Sequence, residues 1–517
     1  MSRQGQLIDL VAPGWRGLNL QRKGQLLTPD WATKAHNCVI DDAYRVACRS
    51  GYSVATTTAI TSSPNVEQIH EYLKGDGTVE LIVSWDGGIG NSLTDPEGND
   101  ISGSVTDTSG FWNFQNLNEK VMGFQHGQKP IVYNGAGTFA TVSESSGTAP
   151  TSFNGVAMCA WGRAYALDSD GQTIKYSGLL DETDWGTVSA GSIDMSSVWP
   201  NGMDVVTAIV AFNNSLLVFG NNQLVIWDDN TGSQLGFDPS QAIVVDSLDG
   251  VGCVSQHTVV SVGDGDVLFA SRNGVQSLGR VIQERSNPLA DVSKNVRDDL
   301  VAEIRESTVS DIRATYYPED GLYLLSFPTI GDPKTWVFDV KKRFQDDQTG
   351  EMVYPVTTWG LAPYSFCVRE NGDLLLGAAG VIWLYGASND DSTLIDYSFH
   401  TPWLDLGEEL ANRKKVIKRM QALVYTGVSA TVFFRWAVDF KEDNQDTISR
   451  TVNASTASEF NIAEFGLDEF AGGLALQLIA APARGSGQYF KLKLETSITR
   501  GFALQQYEIF AKIGRIA

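Results

Sequence analysis

The histidines and cysteines are the residues best able to bind a metal or to act as nucleophiles, and they are few and scattered. The sequence has five of each. His36 lies two residues from Cys38, and Cys253 lies four residues from His257. Neither pair has enough neighbouring ligands to complete a tetrahedral zinc site. Ordinary polar or core roles are therefore predicted for all four residues, and no metal site is predicted.

Motifs for common catalytic and phosphate-binding sites are missing, including H-E-x-x-H, G-x-S-x-G, the P-loop and C-x-x-C. Two acidic stretches, Asp168-Ser169-Asp170-Gly171 and Gly263-Asp264-Gly265-Asp266, are candidates for calcium loops. The first lacks the initial Asp and the distal Glu of a complete loop. Because Asp and Gly are also favoured in hairpin turns, both stretches are predicted to be turns. The sequence thus predicts no catalytic residue, no cofactor and no enzyme activity.

One basic cluster stands out in this acidic chain, and it has two interpretations of equal weight. It could dock onto an acidic partner surface. It could equally be a solvated strand end that balances nearby carboxylates. Its members are Arg413, Lys414, Lys415, Lys418 and Arg419.

The amino-acid composition argues against several classes of function. The chain has 517 residues, of which 61 are acidic and 38 basic, so its net charge is −23. A chain this acidic is poorly suited to bind nucleic acid or an anionic membrane. The 51 glycines and the many aromatic residues favour an all-β fold. There is no apolar signal-peptide region and no run of about 18 apolar residues. With few, unpaired cysteines, we expect a soluble protein folded in a cytoplasm.

A degenerate repeat organises the chain. Each copy is a short apolar strand that ends in a large residue and leads into a Gly, Asn or Asp turn, and the spacing from Trp85 to Tyr385 averages 50 residues. This matches the length of a four-stranded propeller blade. The seven copies are Leu81–Gly87, Ile131–Gly135, Thr173–Gly178, Leu224–Asp228, Gly274–Gly279, Thr335–Asp339 and Ile382–Gly386.

Further strands precede several copies, separated from them by tight turns, as expected for the hairpins of a blade. They are Ala164–Leu167, Ser215–Phe219, Asp266–Ala270 and Leu322–Phe327. The sequence therefore predicts a β-propeller of about six to eight blades over residues 61–397. One inserted helix is predicted over residues 287–306, because Pro288 suits a first turn and apolar residues follow at helical spacing.

The two ends of the chain differ from this pattern. Residues 1–60 are predicted to be extended and irregular, and residues 398–517 to form a separate β-sandwich-like domain. The strands expected in the latter are Thr431–Trp436, Lys491–Glu495 and Tyr507–Ile513.

Three regions carry a family resemblance. The first is the N-terminal series Gly17-Leu18-Asn19-Leu20, Leu27 to Ala32, Asn37 and Arg49-Ser50-Gly51-Tyr52. The second is the blade repeat. The third is Trp403-Leu404-Asp405-Leu406-Gly407, Arg413-Lys414-Lys415 and the strand from Tyr507 to Ile516. In this order the regions resemble the tail nozzle (tail hub, or tail-stabilisation) proteins of short-tailed bacteriophages.

The resemblance implies a structural role in the virion tail. It implies a homo-hexameric tube below the portal and adaptor proteins, contacts with tail fibre or tip proteins, and passage of phage DNA without specific binding. An acidic wall would suit such a tube, because it would repel the phosphates of the DNA.

Two other functions remain open. A propeller-fold glycan-degrading enzyme of the tail would carry Asp-box repeats, but Ser169-Asp170-Gly171-Gln172-Thr173 has the wrong spacing. A generic interaction propeller of the WD40 type would pair Gly-His with Trp-Asp. Trp85-Asp86 and Trp227-Asp228 occur without that partner dipeptide.

Overall fold

A computed structural model gives the architecture. It describes residues 7–8, 15–229, 236–263, 265–284, 291–345, 350, 352–406, 413–453 and 475–516. The fold is all-β, with a propeller and a C-terminal pair of sheets. None of the helices in these residues is long and apolar enough to span a membrane.

Seven antiparallel blades form the propeller, numbered here in chain order of their first strands. Blades 1 and 5 have three strands, and the other five have four. Blade 1 contains Val66–Leu73, Val79–Trp85 and Gly88–Gly90; blade 2 contains Asn113–Leu117, Lys120–Phe124, Ile131–Tyr133 and Ala140–Thr141; blade 3 contains Ala157–Ala160, Arg163–Leu167, Thr173–Tyr176 and Gly191–Asp194; blade 4 contains Ala208–Phe212, Ser215–Phe219, Gln223–Asp228 and Ile243–Asp249. Blade 5 contains Val260–Val262, Asp266–Ser271 and Gly274–Ser277; blade 6 contains Arg313–Tyr317, Leu322–Phe327, Lys334–Asp339 and Val356–Trp359; blade 7 contains Ser365–Val368, Leu374–Gly377, Ile382–Ala387 and Gly51–Val54.

Each copy of the repeat falls in a different blade, so the predicted propeller is confirmed, with seven blades among the described residues. In six blades the copy is the third strand. In blade 1 it is the second strand, because Gly88–Gly90 follows Val79–Trp85 after a tight turn. The strands predicted to precede the copies are the second strands of blades 3, 4, 5 and 6. Hairpin pairing over these short ranges follows directly from the alternation of strands and turns.

Apolar contacts between consecutive blades close the ring. Seven buried clusters fill the seven spaces between blades, including the space between blade 7 and blade 1. In that last space Val66 and Ile69 pack with Leu375 and Ile382. The Ser365 hydroxyl also donates to the Val66 carbonyl at 2.7 Å. Burial of this apolar surface stabilises each blade against the next.

The predicted inserted helix has different bounds. Between blades 5 and 6 the described residues form two helices, α1 (Leu278–Glu284) and α2 (Arg297–Glu306). Asp291 is not helical: it bridges to Gln276, and its carboxylate accepts hydrogen bonds from the backbone and side chain of Ser293. Such local side-chain bonds compete with a helix. Within the predicted range the described residues 291–296 are not helical and the helix spans Arg297–Glu306, while Pro288 lies outside the described residues.

After blade 7 the chain forms two packed sheets. Sheet I continues outward from blade 6 and adds Lys34–His36, Ile395–His400, Phe490–Ile498, Ala430–Val438 and Lys441–Val452, in that order. Sheet II contains Ala475–Pro482, Arg413–Thr426, Phe502–Ile516, Val46–Cys48 and Cys38–Ile40, with Leu7–Ile8 and Ser486–Gly487 at its side. One apolar cluster fills the space between the sheets and extends to blades 5 and 6. The three C-terminal strands predicted from the sequence are present here.

The N-terminal segment contributes strands to several parts of the fold. Lys34–His36 lies between blade 6 and Ile395–His400 in sheet I. Cys38–Ile40 and Val46–Cys48 belong to sheet II, and Gly51–Val54 completes blade 7. The domain limits at residues 60 and 398 stay a prediction. Shorter elements complete the description: strand pairs Gly17–Leu18 with Trp31–Ala32, Ser146–Gly147 with Asp184–Trp185, and Phe344–Gln345 with Met352–Val353, and 3-10 turns Gly24–Leu26, Glu97–Asn99, Pro239–Gln241, Gln256–Thr258 and Val309–Asp311.

Candidate functional site

The cysteine side chains that could bind a metal or act as nucleophiles are packed inside the fold. Cys38 and Cys48 face each other across two antiparallel strands as free thiols, and burial raises the pKa of Cys48 to about 12. The Cys253 thiol contacts the Ser255 carbonyl at 3.2 Å. Across the residues that the structure describes, no three His, Cys, Asp or Glu side chains converge to hold a metal.

The first acidic stretch forms a hairpin turn between two strands of blade 3. Asp168, at the start of the turn, forms an ion pair with Lys175 at 2.8 Å. The Asp170 carboxylate accepts hydrogen bonds from the backbone of Gln172 and Thr173 and from the Thr173 hydroxyl. These bonds hold the pKa of Asp170 below its usual value against the opposing effect of burial. The predicted turn is confirmed. In the second stretch, Asp264 lies outside the described residues.

Side chains at the starts of several blades contact one another across the propeller axis. Phe111, just before blade 2, packs against His257, just before blade 5, with ring centroids 4.3 Å apart. Arg313, the first residue of blade 6, places its guanidinium 4.4 Å from the centre of the Phe111 ring and lies 3.5 Å from the Glu67 carboxylate of blade 1. Blade 2 is a neighbour of neither blade 5 nor blade 6, since two blades lie between on either side, so these side chains meet across the axis. We call the four residues the axial plug.

Burial lowers the pKa values of two residues in the axial plug. Desolvation lowers the pKa of Arg313 to about 10, and the nearby Glu67 and Asp311 oppose this effect. The pKa of His257 is held well below its usual value by burial first and by the Arg313 charge second. The imidazole is therefore neutral at pH 7, which lets it pack on Phe111 without an unpaired buried charge. Sequence reasoning assigned His257 to a core role but gave no sign that it meets Phe111.

The N-terminal residues of the family resemblance converge on one buried arginine. Arg49 is 1% exposed, and its two terminal nitrogens donate to the two carboxylate oxygens of Asp390 at 2.8 and 2.7 Å. Its Nε donates to the Asn37 side chain at 2.8 Å. At Gly51 an added methyl group would overlap the Asn389 carbonyl. This arrangement, here called the arginine clamp, fastens the N-terminal segment to the loop after blade 7.

The fold separates Lys415 from the other four residues of the predicted basic cluster. Lys415 points into the core, where its ammonium donates to the backbone carbonyls of Asp405 and Gln488. The other four residues are exposed, and so are Lys512, on the neighbouring strand of sheet II, and Arg484, in the loop after Ala475–Pro482. We call these six residues the basic face: Arg413, Lys414, Lys418, Arg419, Arg484 and Lys512. The sequence pattern missed the last two because they come from other strands and loops.

None of the six cations is paired with a carboxylate among the residues that the structure describes. The Arg419 guanidinium lies over the Phe510 ring at 4.3 Å. The nearest acid on the same face is Glu508, which accepts from the amides of Gln421 and Gln506. Among the described residues the face thus presents cations without acidic partners, in a molecule whose net charge is −23.

Comparison with known families gives a match over half of the chain. The family model described as Phage_stabilise, bacteriophage P22 Gp10, beta-propeller, matches residues 90–351. These residues run from the end of blade 1 into blade 6. No curated protein matches the sequence.

Several solved structures are similar in shape at low sequence identity. BamB from Moraxella catarrhalis is 11% identical, with 73% of this chain and 97% of that chain covered and a TM-score of 0.38. The WD40 β-propeller domain of Doa1 is 13% identical, with 65% and 97% covered and a TM-score of 0.33. The extracellular domain of BT4673 from B. thetaiotaomicron is 11% identical, with 89% and 61% covered and a TM-score of 0.40.

Proposed function

The chain belongs to the bacteriophage P22 Gp10 β-propeller family and is a phage tail structural protein, and from this we propose that it forms the tail nozzle of a short-tailed phage. In this role several copies make a tube below the portal and adaptor proteins. The tube retains the packaged DNA and conducts its ejection into the host. Tail fibre or tip proteins attach to its outside.

The axial plug is the observation that supports a tube made of several copies. Phe111 and His257 contact each other across the propeller axis, and Arg313 covers the Phe111 ring. A DNA duplex cannot pass where these side chains meet. A conduit for DNA must therefore lie between copies, around the axis of a ring, and the proposed ring is a hexamer.

The charge of the chain supports passage without specific binding. Each copy carries a net charge of −23. Carboxylates on the wall of the tube would repel the DNA phosphates and let the duplex slide. This requires the acidic surface to face the lumen and the basic face to point elsewhere. A map of charge on an assembled ring tests the requirement, and a basic lumen would contradict it.

The mass of the protein in solution, alone and with a portal–adaptor complex, tests the proposed function. Light scattering after size-exclusion chromatography would show a ring of about six copies, formed either alone or on the adaptor. A monomer that ignores the adaptor would contradict the nozzle. Cleavage of host surface glycans by that monomer would instead favour the glycan-degrading alternative.

A further inference from the structure

Two buried cysteines lie directly opposite each other in the N-terminal hairpin of sheet II. In the antiparallel pairing of Cys38–Ile40 with Val46–Cys48, Cys38 and Cys48 are register partners. Side chains of register partners lie on the same face of a sheet, and both cysteines belong to the same buried cluster. Both are free thiols, 0% and 5% exposed.

The backbone hydrogen bonds define the type of this pair. Register partners in an antiparallel pairing alternate between hydrogen-bonded and non-hydrogen-bonded positions. The Asp41 amide donates to the Arg45 carbonyl at 3.0 Å, and the Arg49 amide donates to the Asn37 carbonyl at 3.1 Å. The cysteine pair lies three positions from the first bonded pair and one position from the second. The alternation therefore makes it a non-hydrogen-bonded pair.

The spacing of such a pair suits a disulfide. The Cα atoms of a non-hydrogen-bonded pair are about 4.5 Å apart, and disulfides join Cα atoms about 4.4–6.8 Å apart. The electrostatics agree with neighbouring thiols, because burial first and Cys48 second raise the pKa of Cys38. Burial first, and then both cysteines, also raise the pKa of Tyr397. The geometry thus allows a bond between the two sulfurs without a change of register.

A surface cavity gives small molecules access to one of the two thiols. Cys48 lines a cavity of about 250 Å³, whose wall also includes Tyr385 and Arg500. Cys38 is fully buried, and its thiol donates to the His36 carbonyl at 3.2 Å. An oxidant in the cavity therefore meets Cys48 first, and Cys38 is placed to complete the bond.

We propose that Cys38 and Cys48 form a disulfide when the folded protein leaves a reducing cytoplasm and meets a small-molecule disulfide. The Cys48 thiol loses its proton to water and attacks one sulfur of the oxidant, which releases a first oxidant thiol. The Cys38 thiol then loses its proton and attacks the Cys48 sulfur, which releases a second oxidant thiol. One disulfide is reduced to two thiols while two cysteine thiols are oxidised to one disulfide.

The bond fastens a hairpin that links three parts of the fold. Lys34–His36, just before Cys38, is a strand of sheet I, and Gly51–Val54, just after Cys48, is the outer strand of blade 7. A disulfide restricts the unfolded chain, so the oxidised protein should resist unfolding better than the reduced one. The bond does not depend on the proposed ring, because both cysteines belong to one chain.

The other three cysteines lie apart from this pair and from one another. Cys253, Cys367 and Cys159 are located in three different apolar clusters. Cys159 is opposite Ala164, and Cys367 is opposite Leu375. Oxidation should therefore be confined to one pair, and the five free thiols should fall to three.

Peptide mapping of the full chain tests the bond. The folded protein is incubated with oxidised glutathione at about pH 8.5, where the thiolate fraction is larger than at pH 7. Free thiols are then alkylated and counted, and trypsin is added. Trypsin cuts after Lys34, Arg45 and Arg49, so the two cysteines fall in separate peptides, residues 35–45 and 46–49. We expect these two peptides to be joined, with a mass two hydrogens below their sum, and to separate when a reductant is added.

Denaturation with urea measures the effect of the bond on stability. Oxidation of the wild type should raise the unfolding midpoint by about 0.5 M urea, and a reductant should reverse the change. The midpoint of Cys38→Ala/Cys48→Ala should not respond to the oxidant. Cys159→Ala/Cys253→Ala/Cys367→Ala is the matched control and should respond as the wild type does. If the first variant does not fold, oxidised and reduced wild type give the same comparison.

Three results would overturn the proposal. They are five free thiols after oxidation, a bond to any other cysteine or between two chains, and a midpoint that oxidation leaves unchanged. Each is obtained whether or not the chain forms a ring. The nozzle is tested separately by the mass of the assembly, so failure of one proposal leaves the other standing.

Discussion

At the scale of single residues, Arg49 has the largest structural role that can be assigned. It is fully buried, and all of its nitrogens find acceptors in Asp390, Asn37 and the Ser50 carbonyl. A buried, bidentate pair of this kind fixes geometry, and removal of one partner leaves an uncompensated charge. Asn37 and Arg49 to Gly51, which belong to the N-terminal part of the family resemblance, are thus explained by packing.

We predict that Arg49→Ala lowers the free energy of unfolding by about 3 kcal/mol, because it leaves Asp390 without its partner. Chemical denaturation followed by tryptophan fluorescence measures the change. Lys129→Ala is the control: Lys129 is 43% exposed and pairs with Glu144, and its loss should cost less than about 1 kcal/mol. Equal effects of the two substitutions would show that the arginine clamp does not stabilise the fold. If Arg49→Ala does not fold, Arg49→Lys gives the same comparison.

The stability of the protein should also depend on pH through His36. The pKa of His36 is lowered to about 4, by burial first and by the charges of Lys34 and Arg49 next. Between its unfolded pKa near 6.5 and about 4, the unfolded chain binds the proton and the folded chain does not. Stability therefore falls as the pH is lowered through this window, by about 1–2 kcal/mol from pH 7 to pH 5 for this group.

Thermal unfolding at pH 7 and pH 5 checks the sign. His36→Gln should lose less stability than the wild type over this interval, because glutamine does not titrate. His126→Gln, at an exposed histidine, is the control and should behave as the wild type. A wild-type profile identical to that of His36→Gln would contradict the assigned role of burial at His36.

At the scale of elements, the closing of the ring depends on a strand from the far end of the propeller sequence. Gly51–Val54 pairs with Ile382–Ala387, so blade 7 combines residues more than 300 positions apart. Its first residue must be glycine for a steric reason, because a side chain there would meet the Asn389 backbone. Loss of this strand would expose an edge of blade 7.

We predict that Gly51→Ala lowers the unfolding free energy by about 1–3 kcal/mol, the usual range for an overpacked position. Differential scanning calorimetry would show a lower midpoint. Gly331→Ala is the matched control, since a methyl group there meets only the Glu306 side chain at 3.4 Å. An unchanged midpoint for Gly51→Ala would mean that the last strand of blade 7 does not limit stability.

At the scale of the whole molecule, net charge and ring geometry decide how the protein meets DNA. The propeller axis is closed by side chains, and the surface as a whole is acidic. In the proposed nozzle the DNA therefore contacts a wall formed by several copies. The mass measurement described above tests whether that ring exists.

We predict no saturable binding of the purified protein to a labelled DNA duplex between 50 and about 200 mM salt, because the net charge of −23 repels the DNA phosphates. Fluorescence anisotropy measures this. Binding that weakens steeply as the salt concentration rises would indicate that the basic face binds DNA. The variant Lys414→Glu/Lys418→Glu would then lose that binding, while Lys23→Glu/Lys441→Glu, at exposed lysines outside the face, would keep it.

The sequence by itself determined the blade repeat, the all-β class and the turn role of Asp168 to Gly171. These depend on strand and turn preferences over a few residues, and such preferences can be seen without knowing the fold. Residues 291–296 of the predicted helix are not helical, because Asp291 forms a local turn with Ser293, which the spacing of apolar residues does not show.

Only the tertiary structure decided which distant residues meet. Phe111 and His257 lie 146 positions apart, Arg49 and Asp390 lie 341 apart, and Lys415 separates from its neighbours by pointing into the core. Periodicity cannot predict such pairs, because they depend on how seven blades close into a ring and on which face of a strand the core covers.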